Sequence, residues 1–176
     1  MQLKQNCGNF CQTGILSLKG AVILATLLIC GIVCGEEPTT FFVVRHADRV
    51  ENQDDLTEAG VARAQQLKSI LVPLRIKAIY STDFVRTKST ARPLAETLSL
   101  SPVLYDKVSD DFLAQLKAAH PGQAVLIIGH SNTVGKIVKG LGAELEPTIG
   151  EREFDRLFVV SIQDGKASVI ALRFGE

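Results

Sequence analysis

Short segments without charge alternate with longer amphipathic segments along residues 39–141, and this alternation predicts the fold. Two of the short segments, Thr39–Val44 and Ala124–Gly129, are rich in Phe, Val and Ile. Runs of this kind are typical of strands buried on both faces of a parallel sheet. Two shorter runs predict further strands at Ala78–Ser81 and Val103–Tyr105.

The segments between these strands carry apolar residues three to four positions apart, which is the spacing of an amphipathic helix. They predict four helices, at Leu56–Val72, Phe84–Leu98, Asp110–Ala119 and Thr133–Leu141. Thr57 is a suitable N-cap for the first helix, and Pro93 is expected to kink the second.

A hairpin signal closes the chain. Two alternating segments, Leu157–Ile162 and Ala167–Leu172, are joined across Asp164 and Gly165, a pair that favours a tight turn. The whole pattern predicts an α/β fold: a three-layer α/β/α sandwich with a mainly parallel sheet, helices on both faces and an antiparallel edge.

The amino-terminal segment has a different pattern. Gly20–Gly35 contains 16 residues without a charge, preceded by Lys19 and followed by Glu36. A basic flank, an apolar stretch and small exit residues are typical of a secretory signal, and the stretch is shorter than the roughly 20 residues of a membrane span. We therefore predict a signal peptide or membrane anchor in residues 1–35 and one domain in residues 36–176. The protein is then exported (periplasmic or extracellular) or membrane-anchored.

Cysteine usage supports the same division. All four cysteines precede residue 36, so the predicted domain has neither a disulfide nor a zinc–thiolate site. Lipidation at Cys30 or Cys34 is an alternative, although Ile29 and Val33 stand where lipidation signals prefer a small residue. A buried core helix is disfavoured because the stretch has no polar face.

Charge excludes one class of partner. Lys plus Arg and Asp plus Glu both number 19 in the 176 residues, so the formal net charge is zero. A nucleic-acid-binding protein would show a clustered basic excess, and we expect no nucleic-acid partner.

Polar residues stand where the predicted strands end. Arg45 and His46 follow the first strand, Arg86 comes shortly after the second, and His130 follows the fourth. The carboxyl ends of parallel strands meet at one crevice, so these side chains are expected to form one positive pocket. Arginine matches phosphate oxygens with two parallel donors, and a neutral imidazole is a nucleophile. The pattern predicts phosphoryl transfer.

No cofactor or metal ion is expected in this pocket, because the protein itself supplies the cations. A metal site built from His46, His130 and nearby aspartates is the alternative. The two arginines disfavour it, since they would repel a metal cation. The third histidine, His120, precedes Pro121 at a helix end and is expected to be structural.

At these residues the chain resembles the histidine phosphatase superfamily, which includes the cofactor-dependent phosphoglycerate mutases. Four segments match in order: Arg45-His46-Ala47, Leu56-Thr57-Glu58-Ala59-Gly60, Ser81 with Arg86-Thr87 and Thr90-Ala91, and Gly129-His130. The family's first segment is Arg-His-Gly, so Ala47 departs from it. Because the body is short, the resemblance is to a small, minimal-domain branch with a phosphoglycerate mutase-like fold.

The resemblance implies roles for these residues. His46 would be the phosphorylated nucleophile, with Arg45, Arg86 and His130 as the other catalytic residues of the phosphate pocket. Asn52 matches a substrate-binding position together with Arg45, Arg86 and His130. The family also supplies a carboxylate that protonates the leaving oxygen. The sequence leaves four candidates for it: Asp48, Asp106, Asp110 and Asp111.

The expected activity is hydrolysis of a phosphate monoester, on a phosphorylated small molecule or a phosphopeptide, through a phosphohistidine on His46. Mutase-like phosphotransfer is an alternative, disfavoured by a body too small for large substrate-gripping insertions. A non-catalytic phospholigand-binding protein is a second alternative, and a membrane protein that interacts mainly through Gly20–Gly35 is a third.

Overall fold

Six strands form one mixed sheet in the computed structural model, which describes residues 37–144 and 146–175. They are β1 (Thr39–Arg45), β2 (Ala78–Ser81), β3 (Val103–Leu104), β4 (Ala124–Gly129), β5 (Arg156–Gln163) and β6 (Lys166–Arg173). The predictions of a signal or anchor in residues 1–35 and of lipidation lie outside the described residues.

The order of strands across the sheet is β3-β2-β4-β1-β5-β6. The pairs β2–β3, β2–β4 and β1–β4 are parallel, whereas β5 is antiparallel to both β1 and β6. The α/β class and the mainly parallel sheet with an antiparallel edge are confirmed.

Four α-helices cover the sheet in the described residues. They are α1 (Glu58–Leu71), α2 (Val85–Leu98), α3 (Asp110–Ala119) and α4 (Ser131–Gly140), and a 3₁₀ turn, Val72–Leu74, extends α1. None of these helices is long and apolar enough to span a membrane. Side chains alternate across the pleat, so β1 serves two cores: Phe41 and Val43 pack with α3 and α4, while Phe42 and Val44 pack with α1 and α2.

Three helices begin at other residues than predicted, and α2 begins at Val85, one residue later than expected. Helix α1 begins at Glu58, because Thr57 caps it with its hydroxyl, which accepts from the Gly60 amide at 3.0 Å. Leu56 is instead paired with Arg49 in an isolated bridge. Helix α4 begins at Ser131, two residues earlier than predicted.

One edge of the sheet is exposed to solvent, although helices were predicted on both faces of the sheet. Strand β6 is exposed along most of its length, and Ile170 is 59% accessible. Among the described strands, β6 pairs with β5 alone and forms the end of the sheet.

Candidate active site

Parallel pairing of β1 and β4 brings two histidines together. Arg45 stands opposite Gly129 in the register, and the His46 amide donates to the Gly129 carbonyl at 2.9 Å. His130 follows directly, so the two imidazole rings meet edge to face with centroids 5.5 Å apart. The predicted convergence of the strand ends is therefore present in the structure.

A cavity of about 470 Å³ opens at this point. It is lined by Arg45, His46, Arg49, Phe84, Arg86, His130, Ser131, Asn132 and Glu151. All four residues predicted as catalytic are among them. A cavity of about 510 Å³ beside β5 and β6 has mainly apolar walls and no histidine, so it offers no comparable chemistry.

The ring of His46 is fixed in one tautomer. Its Nδ1 lies 2.8 Å from the carbonyl oxygen of Ala47. A carbonyl can only accept, so Nδ1 carries the proton and Nε2 keeps its lone pair. Burial, with smaller contributions from the charges of Arg45 and Arg86 and against the opposing effect of the Ala47 hydrogen bond, lowers the pKa of His46 to about 4. His46 is therefore neutral at pH 7, with a free nucleophilic nitrogen.

His130 is oriented by a chain of hydroxyl groups. Thr87 Oγ1 donates to backbone carbonyls at 2.8 and 2.9 Å, so it accepts from Thr82 Oγ1 at 3.0 Å. Thr82 Oγ1 then accepts from Nε2 of His130 at 3.0 Å. This leaves Nδ1 unprotonated, with Arg86 Nη2 at 3.4 Å. Burial, together with Arg86 and Arg45, lowers the pKa of His130 to about 4.

Arg45 is held by the loop before β5. Its Nη1 donates to the carbonyls of Gly150 and Glu151, both at 2.8 Å, and its Nη2 lies 3.5 Å from a Glu151 carboxylate oxygen. Phe154 stacks on the guanidinium at 4.2 Å and also contacts the His46 ring, with centroids 5.8 Å apart.

Arg86 is held in a similar way from a different segment. Its Nη1 donates to Asp54 Oδ1 at 2.6 Å, and its guanidinium stacks on Phe84 at 4.1 Å. Asp54 also accepts from the Val85 amide at 2.7 Å. Burial alone would raise the pKa of Asp54, but these hydrogen bonds from Val85 and Arg86 outweigh it and hold the pKa below its usual value.

The two arginines share one unusual property. Among the described residues, the buried side-chain nitrogens without a hydrogen-bond partner are Nε of Arg45 and Nε of Arg86. A buried donor without an acceptor is costly and rare in folded proteins. Both lie at this cavity, so an anion with several oxygens is the acceptor that the site lacks.

Sequence comparison agrees with this geometry. Residues 41–110 match the family model of the histidine phosphatase superfamily (branch 1). That stretch contains Arg45, His46 and Arg86, while His130 lies beyond it. The resemblance to the histidine phosphatase superfamily is confirmed. No curated protein gives a significant match.

Solved structures of similar fold support the architecture. A protein named as the phosphohistidine phosphatase SixA from Agrobacterium tumefaciens is 22% identical, covers 77% of this chain and 98% of its own, and has a TM-score of 0.59. The α-ribazole phosphatase from Shigella flexneri is similar in fold, with 14% identity, coverage of 77% of this chain and 96% of its own, and a TM-score of 0.61. The phosphoserine phosphatase from Entamoeba histolytica is also similar in fold, with 13% identity, coverage of 77% of this chain and 97% of its own, and a TM-score of 0.62.

The superfamily segment around Thr57 and Gly60 has a structural role here. The Thr57 amide donates to the carbonyl of Asp48 at 2.9 Å, which fixes the chain two residues after His46. Gly60 packs against the same carbonyl so closely that a Cβ atom would overlap it. On the other side, Thr90 Oγ1 accepts from the Ala47 amide at 2.9 Å. The motif residues therefore hold the backbone that carries His46.

Asn52 is not brought to the cavity. It is exposed in the turn between the bridged residues Arg49 and Leu56, with a left-handed φ of 59°. Arg49 lines the cavity in its place. The six-residue interval from His46 is not enough to fix the direction of a side chain in a tight turn.

The four candidate acids also lie elsewhere. Asp48 is paired with Arg63 at 2.6 Å. Asp106 lines a separate cleft at β3, and Asp110 and Asp111 are exposed in the first turn of α3. None of the four lines the cavity of His46.

Sequence reasoning missed Asp54, Glu151 and the two phenylalanines, Phe84 and Phe154. They come from loops without a periodic pattern, and no local signal distinguishes them. The Val85 amide at the start of α2 donates to Asp54 and is therefore not available to an anion. No cluster of three or more His, Cys, Asp or Glu side chains that could hold a metal ion occurs among the described residues.

Proposed function

We propose that this protein is a phosphatase that hydrolyses a phosphate monoester through a phosphohistidine on His46. One observation carries the proposal. His46 is a buried, neutral imidazole with Nδ1 bound to a carbonyl and Nε2 free, in a cavity shared with two arginines whose Nε atoms lack an acceptor.

The arginines account for binding and for stabilisation of the transition state. A phosphoryl group has oxygens for both guanidinium groups, and charge-assisted hydrogen bonds of this kind are strong. Because each guanidinium is already fixed through Nη1, by loop carbonyls for Arg45 and by Asp54 for Arg86, little reorganisation is needed when the ligand binds.

Two half-reactions follow from this arrangement. Nε2 of His46 attacks phosphorus, the bond to the leaving oxygen breaks, and an alcohol departs once that oxygen is protonated. Water then attacks the phosphohistidine, the P–N bond breaks with its electrons returning to Nε2, and inorganic phosphate leaves. His130 lies beside the same phosphoryl position and donates no proton from Nδ1 in its resting tautomer. Its ring and Arg86 would therefore mainly position the equatorial oxygens.

The test is direct capture of the intermediate. The protein is mixed briefly with a ³²P-labelled aryl phosphate and denatured in alkali, and acid-labile label should be found on His46. The His46→Ala variant should carry no label, and its kcat/KM should be at least about a thousandfold lower. His120→Ala is the matched control, because His120 bonds to Tyr80 and Gln123 away from the cavity. Full activity in the His46→Ala variant would exclude the mechanism.

The substrate class is to be sought among phosphorylated small molecules and phosphopeptides. The structures of similar fold carry the names of three different phosphatases, so a phosphohistidine peptide, phosphoserine and a ribose phosphate ester are suitable first probes. Transfer of label to an added phosphate acceptor rather than to water would indicate a mutase. Tight phosphate binding without label or turnover would indicate a binding protein.

We also propose that residues 1–35 direct export or anchor the protein in a membrane, from the uncharged Gly20–Gly35 stretch after Lys19. Amino-terminal sequencing and fractionation of the expressed protein test this. A mature chain that starts near residue 36, or an uncleaved chain in the membrane fraction, would support the proposal. A full-length chain in the soluble cytosolic fraction would contradict it.

A further inference from the structure

Hydrolysis by this route needs a proton donor for the leaving oxygen, and the cavity contains one carboxyl group. Among the described residues that line it, Glu151 is the only acid. Both of its oxygens face groups of the site: Oε2 lies 3.5 Å from Nη2 of Arg45, and Oε1 accepts from the Ser131 hydroxyl at 3.1 Å.

The backbone of Glu151 is fixed, whereas its side chain is mostly exposed to solvent. Arg45 donates to the carbonyls of Gly150 and Glu151 at 2.8 Å, and the Gly150 amide donates to Glu153 at 2.8 Å. The Glu151 side chain itself is 83% exposed. A carboxyl group on a fixed backbone at the mouth of the cavity can turn from Arg45 toward a leaving group without any movement of the loop.

The Glu151 carboxylate stands next to Nη2 of Arg45, on the side of the cavity where a phosphoryl oxygen would bind. A phosphoryl group that takes Nη2 as well as Nε of Arg45 would displace it. The displaced carboxylate then lies beside the phosphoryl group and its leaving oxygen. Phosphate monoesters lose their second proton near pH 6, so a substrate monoanion can bring that proton with it.

From these contacts we propose that Glu151 is the catalytic acid that protonates the leaving oxygen, an assignment that rests on the proposed function. The monoanionic ester gives its proton to Glu151 as the phosphoryl group takes the arginines. The Nε2–P bond of His46 forms, the P–O bond breaks, and the departing oxygen takes the proton from Glu151 to leave as an alcohol. In the second step the carboxylate accepts a proton from the attacking water and passes it to the departing phosphate, which leaves as H₂PO₄⁻, so Glu151 ends as the carboxylate from which it began.

A leaving-group series separates this role from a structural one. We would compare kcat/KM for an alkyl phosphate, phenyl phosphate and p-nitrophenyl phosphate, because kcat/KM reports on formation of the phosphohistidine. We expect the Glu151→Gln substitution to lower kcat/KM for the alkyl ester by roughly a hundredfold or more, which is the usual size of an acid's contribution. For the p-nitrophenyl ester, whose leaving oxygen needs no proton, kcat/KM should fall by under about fivefold.

Glu146→Gln is the matched control, since Glu146 belongs to the same connection between α4 and β5 but lines the apolar cavity. Its kcat/KM for each of the three esters should equal that of the unaltered protein. If Glu151→Gln lowers kcat/KM equally for all three esters, or for none, the assignment to Glu151 is wrong. If the assignment to Glu151 is wrong but the unaltered protein forms labelled His46, the phosphohistidine mechanism stands and only the identity of the acid is rejected. If it forms no label with any ester, both proposals fail.

Discussion

Asp54 holds Arg86 in place from a loop 32 positions earlier in the chain. Its Oδ1 accepts from Arg86 Nη1 at 2.6 Å, and its Oδ2 accepts from the Val85 amide at 2.7 Å. One carboxylate therefore caps the start of α2 and fixes the guanidinium, so that the Arg86 Nε and Nη2 side is left for the ligand. This contact links the stability of the helix to the geometry of the cavity.

Replacement of Asp54 should damage both features. In the Asp54→Ala variant we expect kcat/KM to fall at least about tenfold, because a charge-assisted hydrogen bond of about 1.5–3 kcal/mol is lost. The free energy of unfolding should fall by about 1 kcal/mol from the lost cap. Asp83→Ala is the control, since Asp83 at the same helix start pairs only with the exposed Lys88. Unchanged kcat/KM in Asp54→Ala would show that Arg86 does not depend on this contact.

The two buried histidines predict how stability depends on pH. The pKa of His46 and of His130 is lowered from 6.5 to about 4 in the folded protein. Between these values the unfolded chain binds more protons than the folded one, so the free energy of unfolding should fall as the pH drops from about 6.5 to about 4. Above pH 6.5 this contribution should be constant.

Denaturant unfolding at several pH values measures this effect. The His46→Asn variant should show a shallower decline across the same window, since one of the two groups is gone. The carboxyl groups with lowered pKa, such as Asp54 and Asp155, lose their stabilising effect only at still lower pH. A free energy of unfolding that does not change between pH 6.5 and 4 would contradict the neutral state of both rings.

Thr82 is predicted to set the tautomer of His130. The Thr82→Val variant keeps the shape of the side chain but removes the acceptor for the Nε2 proton, 3.0 Å away. We expect a mixed tautomer population in the ¹⁵N spectrum of the His130 ring and a fall in kcat/KM of roughly tenfold, the equivalent of one buried hydrogen bond. Thr82→Ser retains the hydroxyl and should keep the Nε2–H tautomer. The same ring spectrum in the Val variant would argue against the hydroxyl chain.

Gly60 is required by the close approach of α1 to the chain after His46. A helical Gly→Ala change normally stabilises by about 0.5–1 kcal/mol. Here the new Cβ would overlap the Asp48 carbonyl, so we expect Gly60→Ala to lower the free energy of unfolding by about 1–3 kcal/mol, as overpacking usually does. Thermal unfolding measures it, with Ala62→Gly on the same helix as the control. A stabilised Gly60→Ala variant would mean that the backbone can move away at little cost.

Much of the fold could be predicted because its signals are local. The uncharged runs at β1 and β4 predict buried parallel strands, and Thr57 predicts the start of α1 as its cap. The order of Arg45, His46, Arg86 and His130 after successive strands was enough to predict a shared pocket, since parallel strands end at one edge. Exposure of β6 was missed because the sequence pattern does not show how far the helices extend over the sheet.

The sequence by itself determined the strands, the helices and the four residues that meet in the cavity at the strand ends, because period, capping and strand ends depend on neighbours in the chain. The tertiary structure decided which groups fix those four. Asp54 reaches Arg86 across 32 positions and Glu151 reaches Arg45 across 106, on loops without periodicity. It also decided the ring tautomers and the place of Asn52. These features depend on distances between atoms of different segments, which exist only once the sheet has formed.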